Sequence, residues 1–129
     1  SMEIQMTLYF NDNIIFMGFV PHVQKYIRLL HLVIISSDRE GTPLVIWEAM
    51  GSAVPVHSTN VGGIGEMIGT AQCGITFEKE NFNAGVRELE RLIENHSLRV
   101  RLGSGGKKYL KNTDFYQHYI KSIEKIYLS

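Results

Sequence analysis

One cysteine, no net charge and no long apolar run are the first features of this 129-residue chain, and each exclusion narrows its chemistry. A lone Cys73 rules out an internal disulfide and any multi-cysteine zinc or iron–sulfur site. It points to a reducing, cytoplasmic setting and reads as a buried structural thiol. Thirteen Lys and Arg balance thirteen Asp and Glu, so nothing global favours nucleic acid or an anionic membrane, and any anion site must be local. No apolar stretch approaches the ~20 residues of a membrane span, and no basic-then-apolar leader opens the chain. Ser1-Met2 reads as a tag remnant before an initiator methionine. Low-complexity tracts are also missing, and a hydrophobic fraction of 44% with 20% charged residues is that of a folded protein. A single domain over 1–129 is expected, burying roughly 65 to 70% of its unfolded surface.

Short apolar runs alternate with helical patterns. Asn13 to Met17 reads as a strand closed by Gly18, Val23 to Leu32 as a helix, and Leu32 to Ser36 as a second strand. Pro43 to Ser52 reads as a helix with Pro at its first turn and Thr42 as N-cap. Strands at Val54 to His57 and Gly74 to Phe77 flank a helix near Ile64 to Ile68. Continuous apolar strands separated by helices predict an α/β fold with about four parallel strands covered on both faces. The last third is helical. Phe82, Val86, Leu89 and Ile93 form a stripe read as core. An Asp114/Gln117 pair opens a C-terminal helix over 112–129 with Tyr116, Tyr119, Ile120, Ile123 and Tyr127 on one face. Between them Arg99, Arg101, Lys107, Lys108 and Lys111 form a basic cluster, read as a solvated helix face.

Three glycine-containing stretches could hold a phosphate. Gly103-Ser104-Gly105-Gly106-Lys107-Lys108 lacks the spacing, the hydroxyl after Lys and the preceding strand of a P-loop, and is rejected. Val61-Gly62-Gly63-Ile64-Gly65-Glu66 follows a strand and opens a helix, but Ile68 replaces the third glycine of a dinucleotide fingerprint. It reads either as a loop whose backbone approaches a ligand or as a plain turn, with Glu66 favoured in the first helical turn in both cases. The third stretch is Asp38 to Leu44. It sits at the carboxyl end of a strand and the amino end of a buried helix, where ligands of open α/β sheets bind and free backbone amides attract phosphate.

That helix carries Glu48, the only formally charged residue between Gly41 and Gly65. A carboxylate in so apolar a run is partnered, protonated or aimed at a ligand. Five residues beyond Pro43, it lies roughly 7.5 Å along the axis from the helix start, the span from a diphosphate to a ribose. A cis-diol can donate to both of its oxygens; an Arg or Lys from elsewhere in the fold is the alternative partner.

In these residues the chain resembles the C-terminal, nucleotide-sugar-binding domain of retaining GT-B glycosyltransferases of the group-one or family-four kind. Asn13 to Val20 is similar to the family's strand before the base-binding loop, and Glu40 to Glu48 to its Glu-x7-Glu signature. Val54-Pro55-Val56, Val61 to Glu66 and Arg99 to Gly103 follow in the family's order. The resemblance implies an incomplete Rossmann-like domain that binds a nucleotide-sugar donor, with no metal and no cofactor besides the donor. It implies that Glu48 holds the ribose hydroxyls and that Glu40 reaches the sugar near the reacting carbon. Gly41, Thr42, Pro43 and Leu44, with the loop at Gly18, Phe19 and Val20, would then line the diphosphate and base regions. Ala53 stands where the family usually has Gly, and Gly65 where Pro is frequent.

The family's acceptor domain and its first two C-terminal-domain strands have no counterpart here, so the fragment is expected to be inactive alone, with an unknown acceptor. In the strand order 3-2-1-4-5-6 the strand at Val33 to Ser36 would lose its neighbour. Either Ile14 to Met17 moves beside it, or a second copy covers the edge as a homodimer. A non-catalytic interaction module and a dinucleotide-binding domain are the competing readings of function.

Overall fold

The computed structural model describes residues 12–36, 43–113 and 121. Eight elements follow in order: α1 (Gln24–Ile27), β1 (Val33–Ile35), α2 (Pro43–Gly51), β2 (Val56–Thr59), α3 (Ile64–Ala71), β3 (Gly74–Phe77), α4 (Phe82–Glu94) and α5 (His96–Lys111). The strands form one parallel sheet in the order β1-β2-β3, so the chain crosses over through α2 and then α3. Val33 pairs with Val56, and Val56 in turn with Gly74. The core lies where α2, α3 and the end of α5 meet the sheet, and is built from Ile46, Ala49, Met50, Val56, Ile64, Ile68, Cys73 and Leu110.

Local chemistry sets the element ends. Helix α2 stops in a Schellman motif: Val54 N–H donates to Ala49 O at 2.9 Å and Ala53 N–H to Met50 O at 3.1 Å. Ala53 takes the left-handed conformation this requires, at φ +57°. Val54 is thereby committed to the helix end and Pro55 has no N–H, so β2 begins at Val56, two residues later than the apolar run predicts. Gly74 opens β3 because any side chain there would overlap the Val56 carbonyl.

Helix α5 owes its seat to the glycines of the rejected phosphate motif. A methyl group at Gly103 would overlap the carbonyl of Ala53, and one at Gly105 would stand 2.5 Å from that of Gln72. At Gly106 it would lie 2.9 Å from Cys73 Cβ and 3.1 Å from Met50 Cγ. The run Gly103-Ser104-Gly105-Gly106 is helical, and its glycines let α5 lie flat on the ends of α2 and α3.

Three sequence expectations are corrected. Residues 13–17 form no strand; Ile15 and Met17 are exposed, and among the described residues β1 pairs with β2 alone. A wholly apolar strand needs cover on both faces, which no described element offers there. The link to β1 is also poor crossover material, with Gly18 and His22 both at positive φ and one turn of helix between. Among the described residues the sheet therefore has three strands rather than four, and Ile14 to Met17 does not move beside β1. Helix α1 covers only four of the ten residues predicted, because Ile27 alone is buried and so short a helix has little else to stabilise it. In α4 the buried residues are Gly85 and Leu92, while Phe82, Val86 and Ile93 are exposed. The cause is His57, described below, which fixes the helix's rotation. The predicted helix over 112–129 lies outside the described residues except at 112, 113 and 121.

Candidate functional site

The amino ends of α2 and α3 both point to the carboxyl end of the sheet, since each follows a parallel strand. Ligands of open α/β sheets bind at that end, beside helix N-termini. Glu48 sits in the middle of α2 and is 3% exposed, between the fully buried Ile46 and Ala49. The lone charge of the apolar run is thus packed inside the domain. Leu44, in the first turn, is 38% exposed. Pro43 is the first helical residue, as its fixed φ favours.

Beside Glu48, Trp47 donates its indole N–H to Met67 Sδ at 3.2 Å, tying α2 to α3. Trp47, Gly63, Glu66, Met67, Thr70, Tyr109 and Leu110 line a cavity of about 410 Å³ between α2, α3 and α5. The glycine loop is thereby brought to the helix that carries Glu48. Gly62 has φ +56°, the left-handed turn that lets α3 start at Ile64, and Glu66 stands exposed in its first turn. A side chain at Gly65 would overlap that of Asn60, whose Nδ2 donates to Glu78 Oε1 at 2.8 Å. The Gly found where proline is frequent thus leaves space for an Asn60–Glu78 clamp between the β2 and β3 ends. Sequence reasoning missed the Trp47–Met67 pair; the only signal for it was the chain's one tryptophan next to Glu48.

The other expected site residues are less concentrated. Gly18, at φ +64°, and Phe19, 93% exposed, lie in the irregular segment before α1, with Val20 half-buried. Glu40, Gly41 and Thr42 lie outside the described residues. Among the described residues no group of three His, Cys, Asp or Glu side chains could hold a metal ion.

Two buried titratable groups lie away from this end of the molecule or carry no reactive form. His57 on β2 is 2% exposed, donates from Nε2 to the Gly85 carbonyl at 2.9 Å, and stacks on Phe77 with ring centroids 4.8 Å apart. A side chain at Gly85 would meet the Phe77 ring at 2.6 Å, so Gly85 is what allows α4 this close. Burial holds the His57 pKa below its ordinary value, partly opposed by the Gly85 carbonyl and by Glu88. Cys73 is fully buried, and burial pushes its thiol up to about 11. It is a structural thiol, as its isolation suggests.

The family description "Glycosyl transferases group 1" matches residues 5–109. The chain belongs to this glycosyltransferase family. It is 31% identical over 105 residues to an uncharacterized glycosyltransferase of Methanocaldococcus jannaschii, covering 81% of this chain and 30% of the relative. With the capsular polysaccharide biosynthesis glycosyltransferase CapM of Staphylococcus aureus it shares 29% identity over 117 residues, 91% of this chain and 31% of CapM. The chain therefore spans about a third of the length of the curated relatives it matches. Among solved structures it superposes on WaaG, a glycosyltransferase involved in lipopolysaccharide biosynthesis, with a TM-score of 0.62 and 24% identity over 79% of this chain and 28% of WaaG. The three parallel strands flanked by helices are thus similar to the GT-B fold of that enzyme. No helix among the described residues is long and apolar enough to cross a membrane.

Proposed function

We propose that this glycosyltransferase domain is the donor-binding portion of a retaining, hexosyl-transferring enzyme that works in the cytoplasm. The observation that carries this reading is the position of Glu48, a carboxylate buried in the helix that follows β1 at the ligand-binding end of a parallel sheet. In this reading Glu48 accepts hydrogen bonds from the ribose diol, while the amino end of α2 faces the diphosphate. Leu44 and its neighbours Gly41, Thr42 and Pro43 lie along the diphosphate, and Gly18, Phe19 and Val20 take the base. Glu40 acts at the sugar, next to the carbon that is transferred. The chemistry asks mainly for positioning and for stabilisation of an oxocarbenium-like state and a departing diphosphate, with no cofactor besides the donor.

The acceptor in this reading is held by another part of the enzyme, so the chain alone binds a donor without turnover. The edge of β1 that no described strand pairs, where Ile34 is 53% exposed, takes a second copy in this reading; sedimentation should give a dimer, and a monomer would contradict that pairing. Calorimetric titration with UDP, GDP and their sugars tests the whole reading. One nucleotide series should bind, and Glu48→Gln should weaken it at least tenfold; binding that ignores the substitution would remove the ribose role.

A further inference from the structure

Helix α5 carries five cations, Arg99, Arg101, Lys107, Lys108 and Lys111, and no acidic residue in its 16 residues. The neutral total therefore conceals a local asymmetry. At 100° per residue, Arg101, Ser104, Lys107, Lys108 and Lys111 fall on one side of the helix, and all five are exposed. The opposite side, Leu98, Gly103, Gly106 and Leu110, is buried, and the glycine contacts with Ala53, Gln72 and Cys73 fix which side faces out. None of these four cations makes an ion pair among the described residues; the pair Arg91–Glu88 lies on α4. Ser104, Lys107, Lys108 and Lys111, with Ala53 and Asn112, also line a shallow concavity of about 540 Å³.

We propose that this face of α5 docks the domain on an anionic phospholipid surface, with lipid phosphates seated among Lys107, Lys108 and Lys111. Four cations within roughly 15 Å of helix, with no ion pair among the described residues, act together at ordinary ionic strength, where the screening length is about 10 Å. Lysine-rich and outward-facing, the patch suits a diffuse negative surface better than a single bidentate anion. Val100, 53% exposed on the same side, offers an apolar contact at the interface. Single-stranded nucleic acid is the other polyanion of this charge, but it is held by aromatic stacking platforms, and the exposed side of α5 has no aromatic residue; Tyr109 is half-buried on the other side.

The test is co-sedimentation of the full chain with vesicles of 3:1 phosphatidylcholine to phosphatidylglycerol, beside pure phosphatidylcholine vesicles and a labelled single-stranded 20-mer. Binding to the mixed vesicles alone is expected, falling more than tenfold between 50 and 300 mM salt. Each removed cation should lower partitioning about five-fold, so Arg101→Ala with Lys107→Ala, Lys108→Ala and Lys111→Ala together should lower it several hundred-fold. Replacing the three lysines by arginine should preserve binding, as should Lys25→Ala with Arg28→Ala, whose side chains lie on another element. All these residues are exposed, and an unchanged circular dichroism spectrum confirms that the variants fold. Absence of vesicle binding, binding that survives the fourfold substitution, or tighter retention on the oligonucleotide than on vesicles would each overturn the proposal.

Discussion

Replacing Ala53 by glycine should stabilise this domain, although it removes a methyl group that is half-buried. Ala53 is one of three described non-glycine residues at positive φ, and both Schellman hydrogen bonds at the end of α2 depend on that conformation. An L residue with a Cβ pays about 1–2 kcal/mol to stay in the left-handed region. Glycine removes that cost but gives back about 0.4–1 kcal/mol through the freer unfolded chain. Loss of a half-buried methyl subtracts a few tenths of a kcal/mol more. The balance is a gain of about 0.5 kcal/mol, or roughly 2 °C in Tm for a chain of this size. The neighbouring Gly51→Ala works in the opposite chemical direction toward the same result. Its φ is not left-handed, its new methyl would meet Leu110 at an ordinary 3.8 Å, and alanine gains up to about 1 kcal/mol in a helix. Urea unfolding followed by Trp47 fluorescence measures both. A loss of stability in Ala53→Gly, with no change in the denaturant slope, would refute the assignment of strain to this residue.

Further tests probe the rest of the packing. Gly106→Ala should destabilise by about 1–3 kcal/mol despite its helix propensity, because its methyl would crowd Cys73 and Met50 at 2.9–3.2 Å; a neutral result in urea would mean that α5 is not seated as described. The His57 pKa is lowered in the folded state, so the unfolded chain binds its proton more readily. The stability due to His57 is therefore complete above about pH 6.5 and lost as pH falls through the folded-state value. His57→Gln, which retains a donor toward Gly85, should flatten that part of a Tm-against-pH curve. Cys73, with its thiol at about 11, should resist iodoacetamide at pH 8 in the native state and react once urea unfolds the chain; rapid native labelling, read by mass spectrometry, would contradict its burial.

What the sequence revealed depended on whether a local signal had one structural solution. The run Gly74 to Phe77 matches β3 to the residue, since a glycine that no side chain can replace precedes a short run bounded by turn residues. Pro43 likewise marked the start of α2. The apolar run Ile14 to Met17 had no such constraint: strand propensity is realised only where a neighbour pairs and covers it. The rotation of α4 was hidden for a related reason. A stripe of Phe82, Val86 and Ile93 outranks a glycine in any count of apolar residues, yet Gly85 faces inward because His57 and Phe77 occupy the space beneath it. At the candidate site, the burial of Glu48 was legible from its isolation in an apolar run, whereas the contact between Trp47 and Met67, 20 residues apart, is a product of the fold.

The proposed recognition of a ribose diol by Glu48 is read out by a two-by-two titration. The binding nucleoside diphosphate and its 2′,3′-dideoxy analogue are each titrated into the wild-type chain and into Glu48→Gln. A hydrogen bond to a charged group contributes about 1.5–3 kcal/mol, so the wild type should lose roughly 10- to 150-fold in affinity for the dideoxy ligand while the variant loses little. Equal losses in both proteins would contradict the claim, as would a wild-type chain that binds no nucleoside diphosphate at millimolar concentration.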